Sequence, residues 1–473
     1  MRYQKEEKLP SLDFFPSDTI AAIATGVGVS GIGIVRLSGP DALGIADRIF
    51  LSKDKLRPFQ FKTFTLHYGW IIDPQKQNQI VDEVLLSVMR APRSYTREDV
   101  VEINCHGGIV AQRKILDLLL QHGARLAEPG EFTKRAFLNG RIDLTQAEAI
   151  LDIVQAKTEA ALIQGAMQLQ GGLSRNLASL RQELIQILTP IEANIDFPEE
   201  ETGSLDLSFC RQRLVEINQK LLSFIKSWGL ARMLREGVSV VICGRVNVGK
   251  SSLLNCLLKQ ERSIVTSIPG TTRDTVEEMV EINGIPLKIV DTAGILKPRD
   301  VVEKKAVLRS HQAISQAGIV ILLFDGSQRL TKEDRRLVSQ LQGKNILAVI
   351  NKIDKRQRIE KDFLIQRYKQ VLEISAKMGK NIDTLEKKIV DMVLGGLPKI
   401  TESPFLVNLR HLQLIKKAQK YIAGALNSVD NKVSVEFVSQ DIKAALGCLD
   451  ELLGRSFSQE LLDSIFSEFC IGK

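Results

Sequence analysis

Long apolar runs, paired cysteines and histidines are what this 473-residue sequence has least of. Its best apolar stretch, Ile319 to Phe324, is strand length, far short of the ~18 residues a membrane helix needs. The N-terminus mixes Arg2, Lys5, Glu6, Glu7 and Lys8 with no apolar core, so it does not read as a secretory signal. A soluble, cytoplasmic protein is expected. The six cysteines (Cys105, Cys210, Cys243, Cys256, Cys448, Cys470) form no C-x-x-C pair and there are five histidines, so neither a disulfide framework nor a zinc cage is spelled out. Repeats and low-complexity tracts are missing too. What is present is ordinary globular composition, 44% hydrophobic and 25% charged, enough for about three domains at roughly 100 to 200 residues each. Lys plus Arg (64) exceed Asp plus Glu (56), and the net charge of +8 suits a polyanionic partner such as nucleic acid.

Three textures follow one another. Short β-rich runs (Thr19 to Thr25, Ile32 to Leu37, Val81 to Met89, Val100 to Asn104) and the helical pattern Ile109 to Leu120 predict a small α+β domain. From Asp143 to about Leu234 the period is helical. Thr145-Gln-Ala-Glu148 reads as a capping box, and breaks are expected at Pro190 and at the acidic loop from Phe197 to Glu201. Residues 238 to about 396 alternate apolar strands with helical stretches, the pattern of a mostly parallel doubly wound sheet, and after Pro398 the chain turns helical again. The expected fold is multidomain α/β plus α: an N-terminal α+β domain (1–126), a helical domain from two segments (127–236 and 398–473), and a doubly wound α/β domain (237–397) inserted between them.

Gly244-Arg-Val-Asn-Val-Gly-Lys250-Ser251 follows the strand Val238 to Cys243 and precedes a helical stretch, the context a P-loop requires. Its backbone N–H groups would curl around phosphates, Lys250 would reach the β and γ oxygens, and the Ser251 hydroxyl would bind Mg2+. Thr272, in Gly270-Thr-Thr-Arg273, offers a second hydroxyl to Mg2+, and Asp291-Thr-Ala-Gly294 ends an apolar strand where a metal-facing carboxylate and a γ-phosphate-sensing amide are needed. Asn351-Lys-Ile-Asp354 and Ser375-Ala-Lys377 follow two further strands. A carboxylate at Asp354 accepts from the guanine N1–H and 2-amino groups, which adenine cannot offer, so the nucleotide is GTP. Signalling GTPases orient water with a Gln after their D-x-x-G motif; here that position is Ile295, so hydrolysis needs another group.

Two further patterns are weaker. Gly26-Val-Gly28-Val-Ser-Gly31 matches a dinucleotide fingerprint, but a strand, not a helix, follows it, so a hairpin loop is expected. The tail Cys470-Ile-Gly-Lys473 has the spacing of a prenylation box, yet neither Gly472 nor Lys473 suits one.

Taken together, Asp18 to Thr25, Gly31 to Gly39, Ser94 to Glu102, His106-Gly-Gly108, Glu128 to Asn139, Leu144 to Ala149, the GTPase motifs and the Cys-Ile-Gly-Lys tail resemble one family, the tRNA-modification GTPase MnmE, also called TrmE. The resemblance runs from about residue 17 to 473 and implies an N-terminal folate-binding domain that also forms a homodimer. With the FAD-dependent partner MnmG, in a heterotetramer, such proteins add a carboxymethylaminomethyl or aminomethyl group to carbon 5 of the tRNA wobble uridine, using a tetrahydrofolate derivative (5-formyl or 5,10-methylene) as one-carbon source. The folate contacts implied are Arg36, Glu102, Arg141 and Lys473, and Cys470 is the implied reactive thiol. Potassium replaces an arginine finger, held by Asn247, Thr266, Ile268 and Thr271, and Glu303 orients the water. The GTP-binding set then comprises Asn247, Val248, Gly249, Lys250, Ser251 and Ser252; Thr266, Ser267, Ile268, Pro269, Gly270, Thr271 and Thr272; Asp291, Thr292, Ala293 and Gly294; Asn351, Lys352 and Asp354; and Ser375, Ala376 and Lys377. The rival class is a ribosome-assembly or RNA-binding GTPase without modification activity, but no G-x-x-G follows residue 398 and there is one P-loop.

Overall fold

A computed structural model describes residues 18–26, 28–156, 158–197, 206–260, 277–291, 317–341, 343–395 and 408–473. The chain divides into two compact units: Met1–Leu151 with Gln168–Leu214 and Lys420–Lys473, and Asp152–Met167 with Val215–Gln419.

The first unit is built on a seven-stranded sheet of β1 (Ile20–Ile23), β2 (Ser30–Ser38), β3 (Phe50–Ser52), β4 (Thr65–Asp73), β5 (Gln79–Met89), β6 (Val100–Gly107) and β7 (Arg125–Leu126), in the order β3-β4-β5-β6-β2-β1-β7. All neighbours are antiparallel except β1 and β7. The strand period of two sends Val35 and Leu37 of β2, and Val101 and Ile103 of β6, into one core with Ile115, Leu118 and Leu119 of helix Ile109–Gln121. It sends Arg36 and Glu102, opposite each other in the ladder, to the other face. The glycine-rich stretch does join two antiparallel strands, β1 and β2, and no helix follows it.

On that other face sits helix Glu131–Leu138, joined to the C-terminal helix Gln459–Ser467 through a core that includes Phe137, Leu144, Leu462, Phe466 and Phe469. Helix Gly172–Asp196 buries Leu173, Leu177, Leu180, Leu184, Ile187 and Ile191 at helical spacing and packs against Val435–Leu453, where Arg181 pairs with Asp450 (2.5 Å) and Glu192 accepts from Ser439 and Lys443.

Two helical expectations need correcting. The capping box of helix Leu144–Gln155 is set by Asp143 and Gln146, not Thr145 and Glu148: the Gln146 N–H donates to the Asp143 carboxylate and the Asp143 N–H to the Gln146 side chain, both at 3.0 Å. Thr145 and Glu148 are buried two residues further in, and the Thr145 hydroxyl donates to Asp143 (2.7 Å). Pro190, expected to break its helix, lies inside Gly172–Asp196. The proline removes one N–H, the neighbouring Thr189 hydroxyl donates to the Ile185 carbonyl (2.8 Å), and burial of Ile187 and Ile191 on either side outweighs the roughly 3 kcal/mol an interior proline costs.

The second unit holds a six-stranded sheet: β8 (Val238–Cys243), β9 (Glu277–Ile282), β10 (Ile285–Asp291), β11 (Ile319–Asp325), β12 (Ile346–Asn351) and β13 (Val371–Glu373), in the order β13-β12-β11-β8-β10-β9. Only β9 runs antiparallel, joined to β10 by Asn283 and Gly284 at φ 49° and 81°, the signature of a two-residue primed turn. Both faces of the sheet are covered, so β11 is buried along its whole length and its sequence is apolar without alternation.

Candidate functional site

The carboxyl ends of the parallel strands converge on one loop. Between β8 and helix Lys250–Gln260 the chain turns through Asn247 (φ 65°) and Gly249 (φ 102°), and a Cβ at Gly249 would meet the Asn351 amide. The Lys250 ammonium donates to the carbonyls of Gly244 and Arg245, both at 3.0 Å, which closes the loop on itself. Ser251 and Ser252 are exposed in the first turn of the following helix, where N–H groups favour an anion.

The base-recognition strands clamp this loop. Asn351, fully buried at the end of β12, donates to the Val248 carbonyl (2.9 Å) and accepts from the Ala376 N–H (3.0 Å). Lys352 reaches the Asn247 carbonyl and the Asp325 carboxylate, each at 2.6 Å. Burial pushes the Asp325 carboxyl up, but donors from Lys352 and Ser327 prevail and hold it below the ordinary carboxylate range. Asp325 was not singled out in the sequence; its signal is a carboxylate at the carboxyl end of an inner parallel strand. Asp354 is exposed and held below its ordinary pKa by the Ser375 hydroxyl, which donates to it at 2.6 Å, so it stays ionised and ready to accept. Lys377 lies exposed two residues beyond Ser375, and Asp291 closes β10 in register with Ile242 of β8. Thr266 to Thr272, Thr292 to Gly294 and Glu303 lie outside the described residues.

A second cluster forms in the first unit. Arg36 Nε donates to Glu102 (2.7 Å), and its Nη1 donates to the carbonyl of Gly472 (3.2 Å), 436 positions along the chain. The Arg36 guanidinium lies over Tyr95 (5.5 Å) and Phe132 (5.6 Å), and Arg141 lies over Tyr95 at 4.7 Å. Burial pushes the Tyr95 phenol up, its hydroxyl bonds Thr133 (2.9 Å), and it therefore remains a neutral platform between two cations. Gly472 (φ 94°) lies so close to β1 that a Cβ would meet the Ile23 carbonyl. Cys470 is exposed and its carbonyl accepts from Gly130 (3.4 Å), while Lys473, the next residue after Gly472, is partly buried. The structure thus brings Arg36, Glu102 and Arg141 together with the tail that carries Cys470 and Lys473. Tyr95, Thr133 and Phe132 complete the cluster, and nothing in the local pattern flagged them.

Under the cluster lies an ion network. Arg135, 3% exposed, pairs with Asp18 (2.7 Å), Glu131 (3.0 Å) and Glu98 (3.3 Å), and Arg125 joins Asp18 (2.6 Å) to Glu131 (2.7 Å). Burial raises the Asp18 and Glu131 carboxyls, yet the two guanidinium groups outweigh it and hold both below the ordinary range. These pairs fix the helix that carries Phe132 and Thr133 against β1.

A phosphate loop clamped by an Asn-Lys-x-Asp strand end, on a sheet with one antiparallel edge, defines a P-loop GTPase. The family model for the MnmE helical domain matches residues 144–470, and that for the GTP-binding protein TrmE N-terminus matches residues 19–141. A tRNA modification GTPase MnmE of Alkaliphilus oremlandii is 43% identical over 96% of this chain and 99% of its own length, and one of Geobacillus kaustophilus is 44% identical with the same coverage. Among solved structures, Era of Aquifex aeolicus bound to GDP and AlF4− is 30% identical, covering 39% of this chain and 66% of its own with a TM-score of 0.28. The chain belongs to the MnmE (TrmE) family and is a GTPase acting in tRNA modification. GTP and Mg2+ come with that membership. Among the described residues no helix is long and apolar enough to cross a membrane.

Proposed function

We propose that the chain is a potassium-dependent GTPase that works with MnmG, in a heterotetramer built on a homodimer of N-terminal domains, to add a carboxymethylaminomethyl or aminomethyl group to carbon 5 of the wobble uridine of tRNA in the cytoplasm, using a tetrahydrofolate one-carbon unit. The observation that carries this reading is the Arg36 to Gly472 hydrogen bond, which seats the Cys-Ile-Gly-Lys tail on the same sheet face as Glu102 and Arg141. The donor set suits a reduced folate: Glu102 can accept from pterin N–H groups, and Arg141 and Lys473 suit the glutamate carboxylates. Folate, when bound, supplies the one-carbon unit. The chain's own part is to orient it and to keep the exposed Cys470 thiol beside it.

On the GTPase side, Ser251 and Thr272 would hold Mg2+, and Asn247 with Thr266, Ile268 and Thr271 would hold potassium, which would neutralise charge developing on the phosphates in place of an arginine finger. Asn247 is exposed at φ 65° on the rim of the loop, which fits a side-chain ligand there. Glu303 would orient the attacking water in place of the glutamine that Ile295 replaces.

The test is mass spectrometry of wobble nucleosides from a deletion strain carrying either wild-type protein or Cys470→Ser. Wild type should restore the modified uridine, and Cys470→Ser, folded and hydrolysing GTP normally, should not. Failure of the wild-type protein to restore modification would end the reading, and full restoration by Cys470→Ser would remove the thiol from it.

A further inference from the structure

At the end of the six-stranded sheet opposite the phosphate loop, where β12 starts at Ile346 and β13 at Val371, the surface folds into an open cleft of about 610 Å3. That volume lies within the ~300–1,000 Å3 typical of small-molecule sites. The rise of β12 from Ile346 to Asn351, about five steps of ~3.3 Å, separates it from Asn351 and the nucleotide site by roughly 16 Å. Val338 and Met392 give the cleft an apolar wall, Arg367 and Lys369 bring cationic side chains to it, and among the described residues that line it none is acidic.

Two of its lining residues carry buried polar atoms with no hydrogen-bond partner among the described residues, the Tyr368 hydroxyl and Gln370 Oε1. Buried polar groups are nearly always paired, because nothing else repays their lost hydration. Here a donor and an acceptor are left over two positions apart in the chain. Turning either into the cleft breaks no hydrogen bond and allows one to a ligand. Burial pushes the Tyr368 phenol above its ordinary value, so it stays protonated and able to donate. A smaller neighbouring cleft of about 310 Å3 shares Tyr368 and Lys369, but its one carboxylate, Glu373, pairs with Lys361 at 2.7 Å. Arg367, which the smaller cleft lacks, therefore marks the larger cleft as the place for an anion.

We infer that this cleft is a second ligand site, separate from the nucleotide site, for a small organic anion with a flat apolar body and an N–H donor. The anion meets Arg367 and Lys369 and accepts from the Tyr368 hydroxyl, the body lies against the Tyr368 ring and Met392, and the N–H donates to Gln370 Oε1.

The probe is 8-anilinonaphthalene-1-sulfonate, which combines a sulfonate, a naphthalene body and one N–H, titrated by fluorescence into full-length, GDP-saturated protein. One saturable site is expected. It should weaken at least tenfold in the double variant Arg367→Glu/Lys369→Glu, and at least fivefold for the neutral analogue N-phenyl-1-naphthylamine, with GTP affinity unchanged. Gln370→Leu separates ligand binding from mere strain: it removes a buried orphan acceptor, so it should melt no earlier than wild type and yet bind the probe more weakly. Non-saturable or multi-site binding, wild-type affinity in the double variant, wild-type affinity in Gln370→Leu, or competitive displacement of the probe by tRNA would each overturn the proposal.

Discussion

Asn351, Lys352 and Ser375, each at or just beyond the end of a parallel strand, meet Val248, Asn247 and Asp354 through hydrogen bonds of 2.6–2.9 Å, so the nucleotide site is held by short motifs on one sheet. Around Arg36 the partners are Glu102 from a neighbouring strand, Tyr95 from a loop, Phe132 from a helix and Gly472 from the end of the chain. The first site is coded by motifs and stays intact as long as its sheet does. The second is coded by assembly, and it exists only while a helix and a tail remain docked on β1 and β2. Perturbations should therefore separate the two sites, and remote substitutions should injure the second alone.

The largest separation is expected from Arg135→Met. Arg135 touches no proposed ligand, but removing it leaves the buried Glu131 short of one cation, a change that costs about 3–5 kcal/mol when a buried pair is broken. In scanning calorimetry the transition that GTP does not shift should fall by roughly 5 °C or more, while the GTP-stabilised transition holds. Loss of both together would break the comparison. The same network sets an acid limit. Because Asp18 and Glu131 titrate below their unfolded values, their contribution is present above the unfolded carboxylate pKa of about 4 and is lost as pH falls through the depressed folded values. The first unit should accordingly show an acid transition in near-ultraviolet circular dichroism that Arg135→Met moves to higher pH.

Next comes Asp354→Asn, which should lose GTP by at least tenfold, about 1.4 kcal/mol, and gain xanthosine triphosphate, with folate affinity untouched. A nucleotide titration that shows unchanged GTP binding would remove Asp354 from base recognition. A smaller effect is expected from Thr331→Ala. Thr331 caps helix Lys332–Gln340 reciprocally with Asp334, and losing that cap should cost about 1 kcal/mol of the second unit's stability in urea melts. The smallest concerns His106, exposed on the first unit and raised in pKa by the Asp82 carboxylate that bonds it at 2.6 Å. Its contribution is complete below the unfolded histidine value of ~6.5 and fades as pH rises through the raised folded value, so Asp82→Asn should flatten a shallow decline in stability as pH rises above ~6.5.

The nucleotide strands were legible because a doubly covered parallel sheet needs unbroken apolar runs and its motifs sit at their ends, as β8 and Asn351 show. The antiparallel sheet was half legible. β4 was missed, since Thr65–Asp73 interleaves histidine, aromatics and glycine on a partly exposed surface, and the two-residue β7 carries no period at all. The Pro190 and capping-box expectations failed where tertiary burial of Ile187, Ile191 and Thr145 overrode local propensity. Arg36 and Glu102 could be named through family resemblance, but their completion by Gly472 could not be read from any window of sequence, because the contact spans 436 positions.

The most direct measurement is isothermal calorimetry of 5-formyltetrahydrofolate binding to the full-length chain and to the same chain ending at Phe469, with GTP titrated into both. Removing Cys470 to Lys473 deletes the carbonyl that Arg36 bonds and the lysine beyond it. Assembly of the site by the tail predicts folate binding at least tenfold weaker in the truncated chain with GTP affinity unchanged. Equal folate affinity in the two proteins would contradict it.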